Sequence, residues 1–196
     1  ASLLEPSDLY GDADHVGAVA ERLAGDIVLV GHSYGGAVIS QATTRASNIA
    51  HLVYLTAFCL DEGEAVQAKL QAMPRVHTEL GSGSRQFLPD GSGSTIVPER
   101  AAPSLYGCCP PEVAAASTAR LCMQPLATFT QPVTATPWKT IPSTYVRCLR
   151  DEAIHISHQD LMAGHCKSIL TIDTDHSPFI SAVAETADIL EPLARG

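Results

Sequence analysis

The chain has 196 residues, 45% of them hydrophobic and 17% charged, with a formal net charge of −9. A single globular domain of this size hides about 70% of its unfolded surface, which excludes dependence on a disulfide framework. The acidity, and twelve Lys and Arg that form no basic cluster, exclude nucleic acid and anionic membrane surfaces as partners.

The first element in chain order is a helix over residues 12–25, "DADHVGAVAERLAG", with Val16, Val19, Ala20 and Leu23 at helical spacing and Gly25 as the stop. It runs into Ile27, Val28, Leu29 and Val30, a continuous branched-apolar run that predicts a parallel strand covered on both faces. A second helix is expected from about Gly35 to Ala46. Further buried strands follow at "IAHLVYLTAF", at 143–149 ("STYVRCL") and at 168–173 ("SILTID"). "SHQDLMAGH" supplies a helix between the last two strands. "SPFISAVAETADILEPLA" ends the pattern as one helix with Ser177 as N-cap and Pro178 at its first position. Strand and helix alternate, so the fold class is α/β with a right-handed, mostly parallel sheet flanked by helices.

Residues 60–142 break that rhythm and hold ten of the thirteen prolines. They read as an insertion over a core made of 1–59 and 143–196. Inside the insertion, "SRQFLPDGSGSTIVP" predicts a hairpin with Asp90 and Gly91 in the turn. The two Gly-Ser stretches at 81 and 91 read as loop ends, because apolar segments flank both.

Six cysteines, with no CxxC pair, suit unpaired residues in a reducing compartment. No apolar run reaches the roughly 18 residues of a membrane helix, and "ASLLEPSDLY" lacks the basic region of a signal peptide, so the expected location is the cytoplasm. A start without methionine points to further residues upstream. No metal or cofactor is expected: there is no GxGxxG, "GHSYGG" lacks the Lys-Ser/Thr of a phosphate loop, and His155, His158 and Asp160 are explained by a solvated helix end.

The chemistry lies where the first strand stops. "GHSYGG" matches G-x-S-x-G with Gly31, Ser33 and Gly35 between a strand and a helix, the context the motif requires. A turn this tight should leave no room for side chains two residues before and two after the serine, and the helix N-terminus offers N–H groups to developing negative charge. Serine needs a base and an orienting carboxylate, here in the order Ser, acid, His. His176 lies just beyond the fourth strand and Asp151 just beyond the third, on the edge where open α/β sheets bind ligands. Glu152, Asp173 and Asp175 are alternative acids, the last two too close in sequence to His176 to reach it easily. His32 is expected to pack under the turn and His51 within its strand.

These residues resemble the α/β-hydrolase superfamily, and more narrowly the small serine esterases related to plant methylesterases and hydroxynitrile lyases. The likeness rests on "VLVGHSYGGAVIS", "IAHLVYLTAF", "IPSTYVRCLRDEAI" followed by "HQDLM", and "DTDHSPFISAVAETADIL". It implies Ser33 as nucleophile, Asp151 as acid and His176 as base in the hydrolysis of small to medium apolar esters, with the Tyr34 N–H as an oxyanion donor. The insertion corresponds to that family's cap, with Leu105, Phe129 and Trp138 as candidate pocket liners. Two departures stand out. Nothing matches the family's early strands or its "HG" loop, which carries the second oxyanion donor. Ser177 stands where the lyases have a lysine, which favours hydrolysis over cyanohydrin cleavage. The alternative readings are a degenerate hydrolase fold that binds a small ligand without turnover, and a lyase on the same scaffold. If these 196 residues are the entire protein, the open edge at 27–31 is expected to pair with a second copy as a homodimer, or to aggregate.

Overall fold

The computed structural model describes residues 7–81 and 83–195. The first six residues, read above for a leader, and Ser82 of the first Gly-Ser stretch lie outside them. Helix α1 (Leu9–Glu21) opens with Asp8, whose carboxylate accepts the Gly11 N–H at 2.7 Å, and strand β1 (Ile27–Ser33) follows. Helix α2 (Gly35–Ala42) and strand β2 (Ile49–Ala57) complete the first half of the core.

In the insertion come α3 (Val66–Ala72), β3 (Arg85–Phe87), β4 (Gly93–Ile96), α4 (Pro98–Leu105), α5 (Pro111–Thr118), β5 (Gln124–Pro125) and α6 (Ala127–Thr130). The core resumes with β6 (Ser143–Cys148), α7 (Ile156–Ala163), β7 (Ser168–Ile172), α8 (Pro178–Ser181) and α9 (Val183–Arg195).

The core sheet has the order β1-β2-β6-β7 with every pairing parallel. Successive residues of β2 serve opposite faces, as strand geometry requires. Leu52 and Tyr54 enter the cluster built with α1, α2 and α7, whereas Val53 and Leu55 pack with Val146, Ile172 and α9. Tyr54 and Tyr145 are fully buried without stranding their hydroxyls: Tyr54 meets Ser40 Oγ at 2.8 Å, and Tyr145 donates to the Ala57 carbonyl at 2.8 Å. No helix among the described residues is long and apolar enough to cross a membrane.

Five expectations change in detail. Strand β7, expected to be buried, is exposed from Ser168 to Thr171 because it is an end strand of the sheet. The buried face of α1 is Leu9, Ala13, Gly17 and Ala20, with Val16 partly covered; Val19 and Leu23 are exposed, because the small residues, not the large ones, lie against α2. Helix α2 stops at Ala42, where the Thr43 and Thr44 hydroxyls donate to the Ser40 and Gln41 carbonyls and compete with the helix ladder. β1 is an end strand with Val30 41% exposed, so it is not covered on both faces. The last helix divides at Ala182, with the Thr186 hydroxyl bonded to the Pro178 and Ala182 carbonyls, and Ser177 precedes Pro178 without a side-chain cap.

The hairpin forms as read, with Arg85 opposite Ile96, and β5 adds a third antiparallel strand. Residues 131–138 return to the core: Val133 is fully buried there, and Gln41 bonds Thr134 through both ends of its amide.

Candidate active site

Ser33 ends β1 with φ +53°, and Thr56 on the neighbouring strand has φ +38°. These are the non-glycine residues of positive φ among the described residues, and each such conformation costs about 1–3 kcal/mol that surrounding packing must offset. The register between β1 and β2 slips at His32/Ser33, and the Ser33 carbonyl accepts the Phe58 N–H at 3.0 Å. A Cβ on Gly31 would stand 2.4 Å from the Gly35 carbonyl oxygen, and one on Gly36 would stand 2.6 Å from that of Phe58. A Cβ on Gly35 would meet nothing within 4 Å. The turn therefore excludes side chains at Gly31 and Gly36; Gly35, expected to be constrained, contributes only its backbone.

Asp151 and His176 meet at the ends of β6 and β7. The loop carrying Asp151 is closed by Gln159, buried in α7, which accepts the Cys148 N–H and donates to the Cys148 and Ile154 carbonyls. Asp151 Oδ1 accepts N–H groups from Ala153 (2.7 Å) and Ile154 (2.8 Å). Its Oδ2 accepts the Thr56 hydroxyl and the His176 Nδ1–H, the latter at 2.7 Å. Burial raises the pKa of this carboxyl, but the His176 charge and hydrogen bond, with those from Thr56 and Ile154, outweigh it and hold Asp151 below the usual carboxylate range.

His176 is itself buried, and its other neighbour is His32, with ring centroids 4.5 Å apart. His32 Nε2–H donates to the His176 carbonyl at 2.6 Å. Burial, reinforced by His176, lowers the His32 pKa to about 3, so this ring stays neutral and acts as a spacer beneath the turn. Among the described residues the Ser33 hydroxyl makes no hydrogen bond. Ser33 follows His32, whose ring lies against that of His176.

The other acids have separate tasks. Asp175 fixes the His176 loop, accepting from Ser177 N–H (3.0 Å), Ser181 Oγ (2.6 Å) and, across to the insertion, Cys108 N–H (2.7 Å). Asp173 pairs with Arg150 at the surface, and Glu152 accepts the Glu79 N–H. His155 caps α7, His158 donates to the Pro74 carbonyl, and His51 bonds Thr144. No group of three or more His, Cys, Asp or Glu among the described residues could hold a metal.

Ser33 and Tyr34 open into a cavity of about 390 Å³ between core and insertion. Val66 and Leu70 of α3, Phe87 of β3, Phe129 of α6 and Ile154 give it apolar walls. Of the three expected liners, Phe129 is there; Leu105 instead packs with Tyr106 and Ala114 inside the insertion. Trp138 stacks on His165 at 4.3 Å and donates its indole N–H to the Leu60 carbonyl. Both are packing residues. A second cavity of about 550 Å³ runs along the open side of β1 past Leu29, Val30 and Met123. Thr56 and Gln159 carry no sequence signal for their roles, since each looks like an ordinary strand or helix residue.

The model of the "Alpha/beta hydrolase family" matches residues 2–189. The chain is 32% identical over 168 residues to Alpha/beta hydrolase nvfD of Aspergillus novofumigatus (strain IBT 16806), covering 80% of this chain but 65% of that protein, just under two thirds of its length. Among solved structures, a pyrethroid hydrolase from Sphingobium faniae JZ-2 superposes with a TM-score of 0.79 at 22% identity, over 97% of this chain and 79% of that one. The methylesterase MES16 from Arabidopsis gives 0.70 at 23% identity, over 94% and 79%. At these identities the likeness to the solved structures is one of fold.

Proposed function

The chain belongs to the alpha/beta hydrolase family, and from that premise we propose that it is a serine carboxylesterase acting on small to medium apolar esters, with Ser33 as nucleophile, His176 as base and Asp151 as the residue that orients it. The observation that carries this reading is the buried Asp151–His176 pair, 2.7 Å apart, on the same sheet edge as a serine held at φ +53° beside an apolar cavity.

With its Nδ1–H committed to Asp151, a neutral His176 keeps a free Nε2 lone pair. As Ser33 Oγ attacks the ester carbonyl, its proton passes to that Nε2, and the imidazolium is balanced by the ionised Asp151. The tetrahedral intermediate collapses by giving the proton to the leaving alkoxide, which departs as alcohol and leaves Ser33 acylated. Water then repeats the sequence: its proton goes to His176, its oxygen to the acyl carbon, and the carboxylic acid is released as Ser33 recovers its proton. The Tyr34 N–H, at the start of α2, donates to the oxyanion. One such donor is worth about 10²–10³ in rate, so modest turnover is expected where the chain supplies only this one.

The test is hydrolysis of p-nitrophenyl acetate and butyrate by the chain beside its Ser33→Ala variant, with the nitrophenol burst counted against enzyme concentration. The expected result is turnover by the former and none by the latter. Equal inactivity of the two folded proteins would overturn the proposal and leave a fold that binds ligand without turnover.

A further inference from the structure

The cavity beside Ser33 holds a cation with no counter-charge among the described residues. Arg85, the first residue of β3, lines it, with its guanidinium carbon 4.5 Å from the centre of the Phe129 ring and Nη1–H donating to Ser94 Oγ at 3.2 Å. Arg45, Arg100, Arg147, Arg150 and Arg195 all lie within salt-bridge distance of a carboxylate. Among the described residues, the arginines without one are Arg22, Arg75 and Arg120, which are exposed, and Arg85, which is not.

No described residue of this cavity offers it an anion. The described lining contains no Asp or Glu, its glutamines Gln67, Gln71 and Gln124 are neutral, and His158 is committed to the Pro74 carbonyl. Arg85 also borders the neighbouring cavity along β1, and the one carboxylate among the described residues lining that cavity, Asp12, makes no salt bridge with it and has its two oxygens already accepting the Tyr34 and Ser7 hydroxyls. Burial lowers the Arg85 pKa from the ordinary arginine value, yet a guanidinium stays charged at neutral pH. A half-buried cation resting on one aromatic face and one hydroxyl keeps most of its five donors for something else.

We propose that Arg85 is a specificity-determining residue that binds a carboxylate carried by the substrate, so that the preferred esters are those whose apolar acyl chain ends in a free carboxylate. This rests on the esterase reading. The guanidinium fork matches a carboxylate bidentately, and such charge-assisted bonds strengthen where water is excluded. The acyl group is the part that stays in the site through both half-reactions, so a fixed cation holding its far end serves acylation and deacylation alike.

Two measurements test it. In the first, kcat/KM is compared for p-nitrophenyl hydrogen adipate and p-nitrophenyl hexanoate, which differ in the terminal carboxylate. The native chain should favour the anionic ester, and Arg85→Met should reduce the ratio by about tenfold or more, with Arg85→Lys between. In the second, calorimetry follows monomethyl adipate and dimethyl adipate binding to the Ser33→Ala protein, where the half-ester should bind about tenfold more tightly and lose its advantage as salt rises. Equal affinities there overturn the proposal even if Arg85→Met does not fold. An Arg85-dependent preference in binding without hydrolysis of any ester would sink the esterase reading and leave the anion site standing. Ser33-dependent hydrolysis with an unmoved ratio would do the reverse.

Discussion

The sheet edge and the insertion above it are built by opposite means. At the edge, both oxygens of Asp151 and both of Asp175 are occupied, two residues are held at positive φ, and Gln159 ties a strand end to a helix start. The insertion has strands of two to four residues, a small cluster around Leu105 and Tyr106, and an exposed Phe87. On the proposed function, the edge is over-determined because reacting groups must be fixed to fractions of an ångström, while walls that make and break no bonds tolerate looser packing.

The largest expected break in that contrast comes from Asp151→Asn, which keeps the shape but removes the charge that orients and balances His176. kcat on p-nitrophenyl butyrate should fall by about 10⁴. A drop of less than tenfold would mean that the pair does not serve catalysis.

Next in size is the turn. Gly36→Ala should lower stability in urea by about 3 kcal/mol or more, since the added methyl meets the Phe58 backbone, whereas Gly35→Ala should cost little or even stabilise α2. Equal effects at the two positions would show that the turn is not packed as described.

A smaller effect distinguishes the regions by pH. In the unfolded chain His32 takes up a proton below its ordinary pKa of 6.5, but the buried ring refuses one until about pH 3. Stability is therefore full above pH 6.5 and falls as pH drops toward 3, by at most about 1.4 kcal/mol per unit from this group. Asp151, with its lowered pKa, keeps its contribution until the pH passes below the ordinary carboxylate value of 3.8. His32→Gln, which retains an N–H for the His176 carbonyl, should flatten the slope between pH 6 and 4 in chemical denaturation; an unchanged slope would place the titration elsewhere.

The smallest change is expected in the insertion. Phe87→Ser, at a side chain 61% exposed, should shift stability by no more than about 0.5 kcal/mol. A larger loss in thermal melting would make the insertion as tightly built as the core.

Much of this was legible in the residue order. The branched run at 27–30 announces a strand, the glycines around Ser33 announce a turn, and His176 and Asp151 each follow a strand of the same parallel sheet, so their place on one sheet edge follows from topology. Thr56 was hidden because its backbone angle and its bond to Asp151 depend on the β2 neighbour, and "LTAF" reads as plain strand. Trp138 and Leu105 misled because an aromatic or aliphatic residue in an insertion has the same composition whether it lines a cavity or fills a core. Arg85 gave no sign, since a lone arginine before a hairpin is ordinarily solvated.

What the sequence determined by itself is local: the alternating elements, the constrained turn and the order of the three site residues, all of which depend on spacing and on which residues tolerate which backbone. Only the tertiary structure decided which acid reaches His176, which glycines the turn cannot replace, which aromatics face the cavity, and that Arg85 stands there without a counter-charge among the described residues. Those depend on contacts between residues far apart in the chain, where burial and the presence or absence of a neighbouring charge, not residue type, set the chemistry.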